Sequence, residues 1–210
     1  MLILASSSPR RRELLAQGGF IFEVEAAAIH EERGSDESAI SYVTRLAREK
    51  AETVWTRHAG GNAAQDRDED PLLVLGADTT VVAADGQILE KPVDAEDAAR
   101  MLRLLSGTTH KIITGVALIS AVGVEVAAEI TYVTMLTLSD TEIAEYVATG
   151  ESMDKAGAYG IQGRAARWVP RVHGCYFNVM GLPLALVSSM IEGASARAPL
   201  GTGAIAPATR

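Results

Sequence analysis

Apolar residues along this chain follow two different rhythms, and the alternation between them outlines the fold. Continuous runs at Leu2-Ile3-Leu4-Ala5 and Leu72 to Leu75 predict strands buried on both faces. The spacing Ile40, Val43, Leu46, Ala47, Ala51, Val54, Trp55 is instead one face of a long helix, opened by Ser35-Asp36-Glu37. Phe20 to Val24 alternates as a further strand after the stop at Gly18-Gly19. Thr80 to Ala83 and Gln87 to Leu89 flank Asp85-Gly86, a hairpin signal. Asp94 and Asp97 start a helix carrying Met101, Leu102 and Leu105 and ending at Gly107. Ile112 to Ala121 and Val124 to Leu138 are β-branched-rich and predicted to pair across Val122-Gly123. Ser139 and Glu142 form a capping box for a helix from Thr141 to Thr149, closed by Gly150. Residues 154–174 read as a glycine-rich irregular stretch with a strand near Ala166 to Val172, and a last helix follows Gly181-Leu182-Pro183. The expected class is α/β: a mixed, twisted central sheet with flanking helices, two lobes in one domain over residues 1–194. The polar stretch 58–71 is expected to be a mobile surface loop, and 195–210 a disordered Ala/Gly/Pro-rich tail.

Composition narrows the partners more than the fold. The 210 residues are 48% hydrophobic and 22% charged, enough for one substantial core. A net charge of −8 argues against nucleic acid or an anionic membrane as partner. The single cysteine, Cys175, excludes an intrachain disulfide and fits a reducing compartment as a packed thiol. The N-terminal apolar run is too short for a signal peptide and no stretch is long enough for a membrane span, so the cytoplasm is the expected location.

Against that acidic background, the segment Ser6-Ser7-Ser8-Pro9-Arg10-Arg11-Arg12 stands out. Ser8 suits the N-cap and Pro9 the first helical position, so three arginines crowd an end where the helix dipole is already positive. Each such charge is unfavourable by a few tenths of a kcal/mol up to about 1. An anion such as phosphate would relieve it, although a solvated basic turn is the plain alternative.

Asp78, read at the carboxyl end of a buried strand, is placed to hold a divalent metal or orient water, or simply to cap the following turn. Glu31 and Glu32 form an acidic pair that is either solvated or the source of a second carboxylate for Mg²⁺. Lys91 emerges beyond the hairpin, held by Pro92. Lys50 reads as a surface lysine on the edge of the long helix, and His110 as a structural residue at a strand start. In Asp154-Lys155-Ala156-Gly157-Ala158-Tyr159-Gly160-Ile161-Gln162-Gly163, the glycines allow close backbone approach. There Tyr159 offers an aromatic face, and the Gln162 amide complements a uracil or thymine edge. No Ser-His-Asp spacing, Cys/His metal set or Walker-type phosphate loop is present. The residues support a metal-assisted phosphate site without naming its reaction.

Four separated segments in order carry a resemblance: LASSSPRRRELL at 4–15, GADTTVV with EKP at 76–82 and 90–92, SGTTHKIITGV at 106–116, and DKAGAYGIQG with NVMGLPL at 154–163 and 178–184. On these the chain, from Leu2 to about Glu192, resembles the Maf family of nucleoside triphosphate pyrophosphatases. The resemblance implies a Maf/ITPase-like fold and hydrolysis of a nucleoside triphosphate to monophosphate and pyrophosphate with Mg²⁺ or Mn²⁺. It implies Asp78 as proton acceptor with Lys91, base preference set at Arg10, Thr79 and Gln162, and supporting roles for Ser8, Arg11, Glu31 and Lys50, with Glu31 joining Asp78 at the metal. Gln162 is similar to the branch acting on dTTP and UTP, whereas the 7-methyl-GTP branch usually carries glutamate there. A homodimer is a further expectation, and a nucleotide-sensing regulator of septation is the competing role.

Overall fold

The computed structural model describes residues 1–59 and 71–197. Its centre is a seven-stranded mixed sheet. β1 (Leu2–Ala5) and β3 (Leu73–Val82) run parallel, Leu2 opposite Leu73 and Ala5 opposite Gly76. Parallel neighbours need a crossover, and here the chain returns through α1 (Pro9–Gln17), the two-residue strand β2 (Glu23–Val24) and the long α2 (Ala39–Ala59). β4 (Ile88–Leu89) folds back on β3 as the Asp85-Gly86 hairpin. After α3 (Ala95–Leu105), the meander β5 (Thr109–Ser120), β6 (Gly123–Thr134) and β7 (Arg171–His173) completes the order β2-β1-β3-β5-β6-β7. α4 (Asp140–Val147) and two 3₁₀ turns, Ala156–Ala158 and Arg164–Trp168, lie between β6 and β7. α5 (Tyr176–Met180) and α6 (Leu184–Arg197) follow.

The period of two along β3 divides the core. Leu73, Leu75 and Ala77 pack with Leu14 and Leu15 of α1 and with Val187 and Met190 of α6. Val74 faces the other way, onto Ala47, Ala51 and Val54 of α2. Farther along the sheet a second lobe gathers Val81, Leu89, Leu102, Leu105, Ile112, Tyr146 and Trp168. On the α2 face two strand positions carry no side chain. A Cβ on Gly76 would collide with the Ala47 carbonyl and sit 2.9 Å from the Ala51 nitrogen; one on Gly115, in the neighbouring strand, would collide with the Val43 carbonyl. These two glycines let the α2 backbone rest directly on the sheet.

Several expectations shift. α2 begins at Ala39, not Ser35, because the Ser38 hydroxyl accepts the Ser41 N–H at 3.1 Å and caps the helix there. Only Glu23 and Val24 of the expected 20–24 strand pair with β1, since Phe20 and Phe22 turn into the α1/α6 core. The β5–β6 turn falls at Ala121-Val122, one residue early, and β6 ends at Thr134. Ala166 to Trp168 is 3₁₀ and not strand; the strand is confined to Arg171–His173. α5 was not expected. His58 and Ala59 belong to α2 and residues 195–197 to α6, not to the expected loop and tail; the rest of those two expectations, residues 60–70 and 198–210, lies outside the described residues.

Candidate active site

The site opens where β1 stops and β3 does not. β1 ends at Ala5, opposite Gly76, while β3 runs six residues further alongside β5, leaving one side of Asp78 without a strand neighbour. Asp78 is therefore a mid-strand residue opposite Gly115, and not the strand's last position as the sequence suggested. The β-branched Thr79 and Thr80 sustain the strand through the polar stretch. A cleft of about 500 Å³ occupies the gap.

Its floor is ionic. Asp78 shares the strand face of Gly76, so it points at α2, and there Lys50 Nζ lies 2.7 Å from Asp78 Oδ1 and 2.8 Å from Glu31 Oε1. Lys50 is 7% exposed and Asp78 8%, which corrects the reading of Lys50 as a surface lysine. Burial raises the Asp78 pKa above the ordinary carboxylate value, against the opposing pull of Lys50 and Arg11. Glu31, half-exposed, has its pKa lowered: partial burial opposes the charge, but the Lys50 hydrogen bond and the charges of Lys50, Lys91 and Arg11 prevail. Two carboxylates on one ammonium thus stay in different electrostatic states.

α1 enters the same cleft end-on. Ser8 caps it, its hydroxyl accepting the Arg11 N–H at 3.4 Å, and Pro9 takes the first turn as expected. Arg11 reaches inward, donating from Nε to the Gly181 carbonyl at 2.8 Å and from Nη2 to Thr79 Oγ1 at 3.1 Å. Burial lowers its pKa, with Asp78 opposing. Arg10 turns to the mouth, where Nη1 meets Asp154 Oδ2 at 2.7 Å and Nη2 the Asp154 carbonyl at 3.2 Å. Arg12 is exposed and does not line the cleft, so two of the three arginines face it.

The glycine-rich segment forms the opposite lip. Lys155 donates to the Glu151 carbonyl at 2.7 Å and pairs with Asp154 Oδ1 at 2.5 Å. A Cβ on Gly160 would fall 2.7 Å from Lys155 Cε, so the lysine stem lies flat across that glycine. Tyr159, buried beneath the lip, shares a 2.7 Å hydrogen bond with His110 Nε2. His110 is 1% exposed, and burial lowers its pKa to about 4, which suits the structural role expected of it. Gln162 is exposed on the cleft side and its amide has no hydrogen-bond partner among the described residues. Lys91, across the cleft, likewise has neither ion pair nor hydrogen bond among them.

Ser8, Arg10, Arg11, Glu31, Lys50, Asp78, Thr79, Lys91 and Gln162 therefore all line one cavity. Sequence reasoning missed Tyr42 and Glu90, whose side chains meet at 2.5 Å, and the counter-ion role of Asp154. Glu90 stood within a quoted motif, and Tyr42 lies eight residues before Lys50 on α2, but partners 48 and 144 positions apart leave no local signal. Among the lining residues Arg10, Arg11, Lys50, Lys91 and Lys155 oppose Glu31, Asp78, Glu90 and Asp154, a local surplus of cations in an acidic chain.

Fold and site together define an α/β protein with a cation-rich cleft over a buried carboxylate. A family profile described as Maf-like protein matches residues 1–194, and the chain belongs to the Maf family. It is 49% identical over 193 residues to the dTTP/UTP pyrophosphatase of Koribacter versatilis, covering 92% of this chain and 94% of that one. It is 53% identical over 183 residues to the dTTP/UTP pyrophosphatase of Salmonella typhimurium, covering 87% of each. The dTTP/UTP pyrophosphatase of Hahella chejuensis matches at 49% over 183 residues, again 87% of each chain.

Proposed function

We propose that this protein hydrolyses nucleoside triphosphates, dTTP and UTP foremost, to the monophosphate and pyrophosphate. The observation that carries the reading is Asp78: a buried carboxylate, held by Lys50, at the foot of a cation-lined cleft. The names of relatives at about half identity support the same reaction.

Asp78 acts as general base. Burial raises its pKa and makes it a stronger proton acceptor than a solvated aspartate, while the Lys50 ammonium 2.7 Å away favours the charged form. A water above it gives up a proton to Asp78 as its oxygen bonds to the α-phosphorus, and pyrophosphate departs with the bonding pair. Lys91, without a hydrogen bond or ion pair among the described residues, and Arg11 receive the charge that builds on the leaving group. Gln162 presents an open donor and acceptor to the base edge, with Arg10 and Thr79 lining the same cleft.

The carboxylates suit a divalent cation. Asp78 and Glu31 converge on one ammonium, and among the described residues no cluster of three or more metal-ligating side chains exists. Two hard carboxylates completed by substrate phosphates is the donor set of Mg²⁺ or Mn²⁺ and not of a structural metal. Asp78 and Glu31 would hold the ion, which when bound supplies charge neutralisation and Lewis acidity. No helix among the described residues is long and apolar enough to cross a membrane. A cytoplasmic homodimer completes the proposal, a symmetric pair being the commonest assembly.

Purified protein with dTTP or UTP and Mg²⁺ should release pyrophosphate, and Asp78→Asn should lower kcat about 10²- to 10⁴-fold with the fold intact. Asp78→Asn near full activity would discard the base assignment. Faster turnover of 7-methyl-GTP than of either pyrimidine would discard the substrate choice. Absence of turnover with all of them would leave the sensing role.

A further inference from the structure

Glu31 is the least obviously anchored member of the floor. It belongs to segment 25–38, which contains neither helix nor strand. Ala27 and Ile29 tuck partly against the core, but residues 30–36 are all exposed. Hydrophobic burial therefore does not hold the backbone at Glu31.

Polar grips from α2 do. The Tyr42 hydroxyl lies 2.8 Å from the Glu31 carbonyl and 2.5 Å from Glu90 Oε1, placing one proton between two acceptors. One helical turn on, Arg45 donates from Nη2 to the next carbonyl, Glu32, at 2.9 Å. The same guanidinium forks onto Glu37, at 2.7 Å from Nε to Oε1 and 2.8 Å from Nη2 to Oε2. Glu37 in turn accepts the Gly34 N–H at 3.1 Å, and its carbonyl accepts from Arg33 at 2.8 Å. The Arg45 guanidinium also lies 5.7 Å from the Tyr42 ring centroid, so the two grips brace one another. Positions three apart share a helix face, which is why two successive carbonyls can be taken by residues 42 and 45.

We propose that Tyr42 and Arg45 are positioning residues that hold the backbone at Glu31 so that its carboxylate meets Lys50 opposite Asp78. The inference rests on the proposed pyrophosphatase reading, in which Glu31 acts at the phosphates. Arg45 lies outside the lining of the cleft and Tyr42 at its edge, and both act through Glu31. Glu90 joins the device from the β4 side, since its carboxylate closes on Tyr42 while its carbonyl accepts the Gly157 N–H at 3.1 Å. One hydroxyl thereby ties the Glu31 segment, α2 and the strand leading to Lys91.

The test uses Arg45→Met, which keeps the stem and removes the fork, and Tyr42→Phe, which keeps the ring and removes the hydroxyl. Each is measured alone and combined with Glu31→Gln. Each single variant should lower kcat for UTP about 10- to 100-fold, leaving KM within about twofold, because misplacement of a reacting group by about 1 Å has that effect. Amide hydrogen exchange over residues 30–37 should quicken while the rest of the chain and the thermal midpoint stay near those of the parent. In the Glu31→Gln background neither substitution should reduce kcat further. Undiminished losses in that background, or unchanged exchange at 30–37, would overturn the positioning role alone. Full activity of Glu31→Gln would overturn the assignment of Glu31, and the grip's purpose with it. Should Arg45→Met not fold, Tyr42→Phe decides the same question.

Discussion

The floor and the rim of the cleft are both ionic, yet they are built in opposite ways. At the floor, Lys50 and Asp78 are almost wholly buried and their positions are set by a helix lying backbone-to-backbone on a sheet. At the rim, Arg10 and Asp154 meet with side chains 29% and 61% exposed, joining a helix end to an irregular loop. A buried pair is costly to form and costlier to break, because loss of one partner strands a charge, about 3–5 kcal/mol. An exposed pair contributes at most about 1 kcal/mol and exchanges readily with water or a ligand. The floor is thus suited to fixed chemistry and the rim to the coming and going of a substrate.

The sharpest way to break this contrast is Gly76→Ala. The new methyl meets the Ala47 carbonyl and the Ala51 nitrogen, main-chain atoms that yield only if α2 moves. Overpacking of this kind should destabilise by about 3 kcal/mol, seen in the urea midpoint. Activity should fall about 100-fold as Lys50 is carried off Asp78.

A second probe loosens the rim from beneath. His110 is held neutral, with its pKa near 4 against an ordinary value of about 6.5, so the fold accommodates the uncharged ring. The stability tied to that neutrality is fully present above pH 6.5 and declines as pH falls toward 4, by about 3 kcal/mol in all. Urea unfolding at stepped pH should show that slope, and His110→Gln should flatten it. Carboxylates with lowered pKa, among them Glu37 and Asp154 at about 2, release their contribution only at more acid pH.

The smallest effect is expected from Asp154→Asn. It weakens the hold on Arg10 at an exposed site, so the thermal midpoint should move by less than about 1 kcal/mol equivalent. The ratio of kcat/KM for UTP over CTP should change by less than tenfold. A large loss of stability would show that the rim is built like the floor.

The contrast also explains what could be read in advance. Rim and turn features are local, so Ser8 with Pro9, the Asp94 cap, the Asp85-Gly86 hairpin and the Ser139–Glu142 capping box were legible and stand as expected. The burial of Lys50 left a trace that went unused. It lies three residues after Ala47 and four before Val54, inside the apolar stripe of α2, where a charge requires a partner. Asp78 misled because a polar Asp-Thr-Thr stretch resembles the end of a strand, and only the antiparallel hold of β5 carries it on. The links from Arg10 to Asp154 and from Tyr42 to Glu90 arise from the folded arrangement and leave no short-range pattern.

Gly76 and Gly115 have one more effect. With bare α-carbons under the helix, the height of the α2 backbone above the sheet is set by main-chain contact. A helix seated this closely has no side chain at those two points whose repacking could change its height. The ruler is marked off by missing atoms.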